Sequence, residues 1–253
     1  MGKVSVQPHI QCSSLDAAPY ALLPGDPMRV EKVKSYLKNV KEIAFNREYK
    51  SIVGSYKGVQ VMVVSTGIGG PSTAIAVEEL SRIGVHTMIR IGSCGALDSK
   101  IQLGDLIIID GAVRDEGTSK AYIDLSYPAI PDTKLLMNLI LSAKSSALPY
   151  HVGKVRSHDS FYTDQEDEID SYWASKGILG SDMETAALFV VGGLRGVHTA
   201  SILNNVVTYK GELESGISHY VEGETQTAQG EQNEIELALE TLVIWDKQIK
   251  EEI

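Results

Sequence analysis

The chain has 253 residues, a length over which α/β proteins commonly fold as one domain, so residues 1–253 are taken as a single domain. Its composition is 43% hydrophobic, 22% charged and 6% aromatic, which excludes a disordered, collagenous or coiled-coil chain. With 23 Lys and Arg against 33 Asp and Glu, the formal net charge is −10. This excludes general nucleic-acid binding, which requires a basic surface, so any anion must be bound by a few placed arginines.

Cysteines and apolar runs place further limits on the class of protein. Cys12 and Cys94 are the only cysteines and form no Cys/His cluster, so neither a disulfide framework nor a zinc site is expected. The first residues lack the apolar stretch of a signal peptide, and no run reaches the roughly 18 apolar residues of a membrane helix. We therefore expect a cytoplasmic protein with no membrane partner.

Short apolar runs alternate with helical patterns along the chain. The predicted strands are Tyr20–Leu23, Ile52–Tyr56, Val59–Ser65, Thr87–Ile91, Leu106–Ile109, His151–Val155 and Val197–Leu203. The predicted helices are Met28–Leu37, Thr73–Arg82, Leu135–Ala143, Met183–Val191 and Ile235–Trp245. Residues 208–232 are polar and contain glycine, which predicts a mobile surface loop. The alternation indicates one α/β domain with helices on both faces of a largely parallel sheet.

Glycine-rich turns follow three of the predicted strands, at Gly25, Gly67–Gly70 and Gly92–Gly95. Ligands of open α/β sheets bind beyond the carboxyl ends of strands, where glycine lets backbone N–H groups approach an anion. Each turn alone is explained as well by a tight strand-to-helix connection. Neither GxxxxGK[ST] nor GxGxxG is present, which excludes a P-loop and a dinucleotide fingerprint.

Two arginines lie beside these turns. Arg29 falls in the first turn of a predicted helix, where the helix dipole disfavours a cation unless an anion lies between them. Arg90 interrupts an apolar strand and needs a partner if it is buried. Each arginine can simply pair with a carboxylate that supports the fold. Together they indicate a dianion such as phosphate, which guanidinium groups match well.

Five motifs carry a resemblance to a known family. They are PGDPMRVEKV from Pro24, NREY at Asn46–Tyr49, STGIGGPSTAIAVEEL at Ser65–Leu80, RIGSCGAL at Arg90–Leu97 and SDMETAALF at Ser181–Phe189. In this order they resemble the nucleoside phosphorylase-I family, over nearly the whole chain. The first half is most similar to the uridine phosphorylases, including VRDEGTS at Val113–Ser119 and YPAIPD at Tyr127–Asp132. The resemblance implies a single-domain α/β/α sandwich with a mixed, partly barrel-like central sheet, assembled as a hexamer of three dimers.

The resemblance also implies a phosphate site and a ribose site. The residues that match the family's phosphate site are Gly25, Arg29, Arg90 and Ser93, and Arg47 matches an arginine that a neighbouring subunit contributes. The residues that match the family's ribose site are Met183, Glu184 and Phe161. His9 matches a histidine of the neighbouring subunit that reaches the ribose 5′-hydroxyl. Without the resemblance, His9 would be interpreted as an ordinary surface histidine. Glu184 would be a carboxylate favoured by the dipole at the start of a helix, and Phe161 would be an aromatic residue of the core.

The base site departs from the family pattern. Its matching positions are Gly95, Phe161, Gln165, Asn205 and Val206. Uridine phosphorylases typically read uracil with a glutamine and two arginines. Gln165 fits the glutamine and offers an amide donor and acceptor, but Asp167 and Val206 stand at the arginine positions. Purine phosphorylases place an aspartate where this chain has Asn205.

The reaction implied is reversible phosphorolysis of a ribonucleoside to free base and ribose 1-phosphate, with Arg29, Arg90 and Glu184 as the catalytic residues. Uridine is the expected substrate, and inosine, guanosine or adenosine are the alternatives. A nucleosidase is disfavoured because hydrolysis has no use for three arginines. A non-catalytic nucleoside-binding protein is a further alternative, since the base-reading set is incomplete.

No cofactor is required by this chemistry. Some family members hold a monovalent cation such as potassium at the dimer interface, and Glu48, Ile68 and Ser72 match its ligands. Carboxylate, carbonyl and hydroxyl oxygens suit a hard cation. An ordinary interfacial carboxylate explains Glu48 equally well.

Overall fold

The computed structural model describes residues 5–211, 213–221 and 225–252. The strands are β1 Tyr20–Pro24, β2 Lys38–Asn46, β3 Tyr49–Tyr56, β4 Val59–Val64, β5 Thr87–Ala96, β6 Leu106–Asp115, β7 Tyr150–His158, β8 Gly180–Asp182 and β9 His198–Val207. The helices are α1 Pro27–Lys34, α2 Gly70–Arg82, α3 Thr118–Tyr122, α4 Thr133–Ser146, α5 Glu166–Ser175, α6 Thr185–Leu194, α7 Leu213–Val221 and α8 Thr225–Glu252. Among these described helices, none is long and apolar enough to cross a membrane.

The strands form one sheet in the order β2-β3-β4-β1-β5-β8-β7-β6-β9, and β9 pairs back onto β5. This extra pairing closes the β5, β8, β7, β6 and β9 part of the sheet into a barrel. Pairing is parallel between β1 and both β4 and β5, and antiparallel in β2-β3-β4 and between β6 and β9. The mixed, partly barrel-like α/β fold expected from the motifs is therefore confirmed, whereas the largely parallel sheet is not.

Apolar side chains pack on both faces of the sheet because residues alternate between its two sides. In β1, Ala21 and Leu23 pack with α2 and α6, whereas Tyr20 and Leu22 pack with α1, α4 and α8. Each fully buried leucine contributes about 1.5–3 kcal/mol to folding. The two cores hold the carboxyl ends of β1 and β5 in fixed relative positions, and the arginines lie at those ends.

Residues 208–232 do not form the predicted surface loop. They contain α7 and the first residues of α8, although residues 212 and 222–224 lie outside the described part of the chain. The prediction was wrong because two residues of this segment, Tyr220 and Glu231, are held against the fold by contacts with Arg29.

The predicted strand Thr87–Ile91 continues through the glycine-rich segment to Ala96. Pairing with β8 at Gly95 and with β9 along the whole strand keeps the backbone extended where the glycines predicted a turn. β2 and α5 were not predicted, since both are mostly polar and exposed.

Candidate active site

Arg29 is buried at the start of α1. The Asp26 side chain caps the helix by accepting from the Met28 N–H at 2.8 Å, and Pro27 occupies its first position. This local sequence fixes Arg29 in the first turn, where it is 4% exposed. Its Nη1 donates to the Ile91 carbonyl of β5 at 2.8 Å, which ties the guanidinium to the end of the neighbouring strand.

Residues of α7 and α8 supply the side-chain oxygen partners of Arg29. Its Nε donates to Glu231 Oε2 at 3.3 Å, and Nη1 lies 3.5 Å from Glu234 Oε2. The Tyr220 hydroxyl accepts from Nη2 and donates to Glu231. Sequence reasoning missed these three residues; the available signal was that a buried arginine requires acidic partners somewhere in the chain.

The two carboxylates beside Arg29 differ in charge. Burial raises the pKa of Glu234 to about 8; Glu231 adds to this rise and Arg29 opposes it. The pKa of Glu231 is lowered overall. Burial acts to raise it, but Arg29 and the hydrogen bonds from Lys32 and Tyr220 outweigh the effect of burial. Near neutral pH, Glu231 is therefore ionised and Glu234 is largely protonated.

Arg90 of β5 is also 4% exposed and has two acidic partners. Its Nε donates to Asp182 Oδ2 at 3.1 Å, and its Nη2 donates to Glu184 Oε2 at 2.5 Å. Burial lowers the pKa of Arg90, but Glu184 and Asp182 outweigh that effect and the pKa is raised. Asp182, which sequence reasoning did not single out, is held in turn by the Ser157 hydroxyl at 2.6 Å.

Glu184 lies at the junction of β8 and α6 and contacts the glycine-rich segment that follows β4. Its Oε1 accepts from the Gly69 N–H at 2.7 Å, while Oε2 also accepts from the Met183 N–H at 3.2 Å. The Gly67 N–H donates to the Gly25 carbonyl at 3.0 Å, so the loops after β1 and β4 touch. Burial raises the pKa of Glu184, although Arg90 opposes this.

Six of the predicted site residues thus lie at one edge of the sheet. They are Gly25, Arg29, Arg90, Ser93, Met183 and Glu184. Ser93 follows Ile91 by two residues on β5 and is half-buried. Arg29 directs three of its five N–H donors to Glu231, Ile91 and Tyr220, which leaves two for an anion.

His9 and Arg47 do not join this cluster within one chain. His9 Nδ1 lies 2.6 Å from Glu79 Oε1 of α2, and its carbonyl accepts from Asn46 at 2.8 Å. Arg47 sits in the turn between β2 and β3 with a φ of 55°, is exposed, and forms no ion pair with a described residue. Their contribution to a neighbouring subunit's site stays a prediction.

The predicted base residues fall into two groups. Phe161 is half-buried and packs edge-on against Tyr162 at 4.9 Å, and Gln165 is exposed at the start of α5. Asn205 is fully buried, and its amide donates to the Gln102 carbonyl at 3.0 Å. Val206 is 1% exposed. The Asn205 amide nitrogen is thus already bonded within the fold.

Glu48, Ile68 and Ser72 lie together around Gly67. The Ser72 hydroxyl donates to the Ile68 carbonyl at 3.1 Å. A Cβ on Gly67 would lie 2.7 Å from Glu48 Cγ and 3.4 Å from Ser72 Oγ. The three predicted cation ligands therefore offer a carboxylate, a carbonyl and a hydroxyl oxygen in one place, a donor set that suits a hard cation.

Comparison with known proteins identifies the family. The model of the phosphorylase superfamily matches residues 19–211. Uridine phosphorylase of Thermococcus kodakarensis is 44% identical over 209 residues, covering 78% of this chain and 76% of that protein. Guanosine phosphorylase of Halorubrum lacusprofundi is 36% identical over 233 residues, which cover 92% of this chain and 95% of that protein. The crystal structure of uridine phosphorylase from Vibrio fischeri superposes with a TM-score of 0.89 at 48% sequence identity. The match covers 96% of this chain and 99% of that chain.

The chain therefore belongs to the phosphorylase superfamily, and the class of enzyme expected from its motifs, a nucleoside phosphorylase, is confirmed.

Proposed function

We propose that the protein catalyses the reversible phosphorolysis of uridine to uracil and ribose 1-phosphate. The observation that carries this proposal is the buried meeting of Arg29, Arg90 and Glu184 beside two glycine-rich loops. Uridine is supported by the similarity to two uridine phosphorylases, at 44% and 48% identity, and by Gln165 at the start of α5.

The proposed chemistry follows from the charges at the site. Phosphate bound by the free N–H donors of Arg29 and Arg90, with Ser93 and the Gly25 backbone, attacks C1′ of the ribose. An oxygen–C1′ bond forms as the C1′–N1 bond breaks, and the electron pair of that bond leaves with uracil, which then takes up a proton. The phosphate dianion stabilises the positive charge that develops on the ribose ring.

Glu184 positions the ribose in this scheme. Its carboxylate accepts hydrogen bonds from the 2′- and 3′-hydroxyls, and Met183 and Phe161 pack against the sugar. Because Arg90 and the Gly69 N–H already hold the carboxylate, its orientation is set before substrate binds. No step requires a cofactor.

The complete site is proposed to form between subunits of a hexamer built from three dimers. Two observations support this: Arg47 is exposed without an ion-pair partner among the described residues, and Phe45 and Ile68 are apolar side chains with 64% and 80% exposure. His9 and Arg47 then enter a neighbour's site, and Glu48, Ile68 and Ser72 hold a potassium ion at the dimer interface. We place the enzyme in nucleoside salvage in the cytoplasm.

Phosphorolysis of guanosine or inosine is the second candidate function. The similarity to the Halorubrum guanosine phosphorylase, which spans 92% of the chain, favours it. Against it, a purine leaving group needs an acid at N7, and Asn205 has no suitably acidic proton. Its amide nitrogen is moreover bonded to the Gln102 carbonyl.

A substrate panel tests the proposal. Cleavage of uridine, thymidine, inosine, adenosine and methylthioadenosine is measured with saturating phosphate, in the wild type and in Arg90→Ala. Uridine is expected to give the highest kcat/KM, and Arg90→Ala to lose about 100-fold or more because a buried anion contact is removed. A kcat/KM for inosine about tenfold above that for uridine reverses the base assignment, as one missing or misplaced pocket contact is worth about that much.

A further inference from the structure

The proposed cleavage of uridine leaves a negative charge on the base, and the two usual arginine positions do not supply a positive one. Asp167 is an exposed acidic residue and Val206 is a buried apolar one. Since stabilisation of the departing charge is a large part of such catalysis, another group must provide it. The inference below rests on the proposed uridine phosphorolysis.

Arg156 on β7 is a buried cation that no predicted site includes. It is 9% exposed, and its Nε donates to Asp115 Oδ2 at 2.7 Å. Within the described chain, neither Nη1 nor Nη2 makes a hydrogen bond, so four of its five N–H donors are unused. Both Nη groups reach the surface, so their donors are open to a ligand.

Strand register places Arg156 beside the predicted base site. Arg156 pairs with Ser181 of β8, and Ser181 pairs with Gly95 of β5. Paired residues on adjacent strands project to the same face of a sheet. Two contacts agree with this register: a Cβ on Gly95 would lie 3.9 Å from Ser181 Oγ, and the next pair, Ser157 and Asp182, is hydrogen-bonded at 2.6 Å.

Arg156 and Gly95 are thus two strand spacings apart on one face, or about 10 Å between backbones. Gly95 and Ser181 lie between them with small side chains or none, which leaves room above the sheet. A flat ring over Gly95 would extend toward the β7 side of this face, where Arg156 lies. His158 continues the same face, with Nδ1 bonded to the Ser160 carbonyl at 2.9 Å.

Three acidic residues lie around Arg156. Its ion-pair partner Asp115 is 40% exposed, and solvent screens that pair. Two acids of α5, Glu166 and Asp170, also face it, but burial raises the pKa of both, and Arg156 only opposes that rise. The screened pair with Asp115 is the one ion pair that Arg156 makes with a described residue.

We propose that Arg156 contacts the base and stabilises the negative charge that develops on it, in place of the arginines absent at positions 167 and 206. The Nη donors bind a carbonyl oxygen of the uracil ring, onto which the electron pair of the broken C1′–N1 bond is delocalised. Asp115 orients the guanidinium through Nε.

The experiment compares Arg156→Gln with Lys154→Gln. Lys154 lies two residues earlier on the same face of β7, is 62% exposed, and approaches Asp110 at 3.6 Å, so its removal changes the same charge outside the site. The kcat/KM for uridine and for 5-fluorouridine and the KM for phosphate are measured for both variants. Melting temperatures are recorded in parallel, and Arg156→Lys retains the charge should the glutamine variant fold poorly.

Arg156→Gln is expected to lower kcat/KM for uridine by about 100-fold, the loss typical of a removed charge-stabilising donor. The loss is smaller for 5-fluorouridine, because fluorine withdraws charge from the departing base and less stabilisation is needed. The phosphate KM stays constant, and Lys154→Gln behaves as wild type. An equal loss for both nucleosides in a folded variant, or no loss, overturns the assignment. A wild type that cleaves inosine but not uridine overturns the proposed function instead.

Discussion

Replacing Glu234 with glutamine is expected to stabilise the protein at pH 8 and to change little at pH 5. Glu234 is fully buried, and burial raises its pKa from 4.5 to about 8, a rise that Arg29 and the Gly92 backbone only partly oppose. The pKa in the folded state lies above that of the unfolded chain. The stability it confers is therefore complete below pH 4.5 and is lost as the pH rises to about 8.

The size of this effect follows from the two pKa values. At 1.36 kcal/mol per pH unit, the wild type loses roughly 3–4 kcal/mol of unfolding free energy between pH 5 and pH 8 through this group alone. Glutamine has nearly the shape of the protonated acid and does not ionise. The difference between variant and wild type should therefore grow by that amount over the same range.

Urea denaturation from pH 5 to pH 8 measures the difference, at one protein concentration because subunit association also contributes to stability. Glu236→Gln is the matched control, since Glu236 is exposed two residues further along α8. Its pH dependence should be that of the wild type. Parallel curves for Glu234→Gln and wild type would show that Glu234 ionises normally, and would refute the burial argument.

Three further predictions follow from the site. Gly67→Ala should lower the free energy of unfolding by about 1–3 kcal/mol, since φ is +71° and the new Cβ lies 2.7 Å from the Glu48 side chain; an unchanged denaturation midpoint contradicts this. Gln165→Ala should lower kcat/KM for uridine about tenfold or more while the phosphate KM stays constant, and a changed phosphate KM contradicts its assignment to the base. Mixing inactive His9→Ala with inactive Glu184→Ala chains should restore activity through hybrid interfaces, and no activity after confirmed subunit exchange refutes the shared site.

Apolar periodicity predicted most of the fold because most of its elements bury a continuous apolar face. β2 was not predicted because it is largely exposed and carries three charged residues, Lys38, Lys41 and Glu42, which break the apolar alternation of a strand. The start of α8 was not predicted because its polar residues are buried rather than exposed. Its Glu231 and Glu234 are buried, but acidic residues indicate a solvated surface unless the cation facing them is known.

The arginines of the site were predictable and their partners were not. Arg90 stood out because it interrupts an apolar strand, which is a local signal. Its contacts with Asp182 and Glu184 span more than 90 residues of sequence and depend on the sheet closing. Arg156 gave no signal of this kind, since its position two strands from Gly95 arises only from the register of β7, β8 and β5.

The most direct test of the central claim is whether uridine cleavage depends on phosphate. The purified wild type is incubated with uridine and isotopically labelled phosphate, and uracil, ribose 1-phosphate and free ribose are quantified. We predict that uracil forms only when phosphate is present, with one labelled ribose 1-phosphate for each uracil released. Equal release of uracil without phosphate, accompanied by free ribose, would contradict the phosphorylase mechanism and identify a hydrolase.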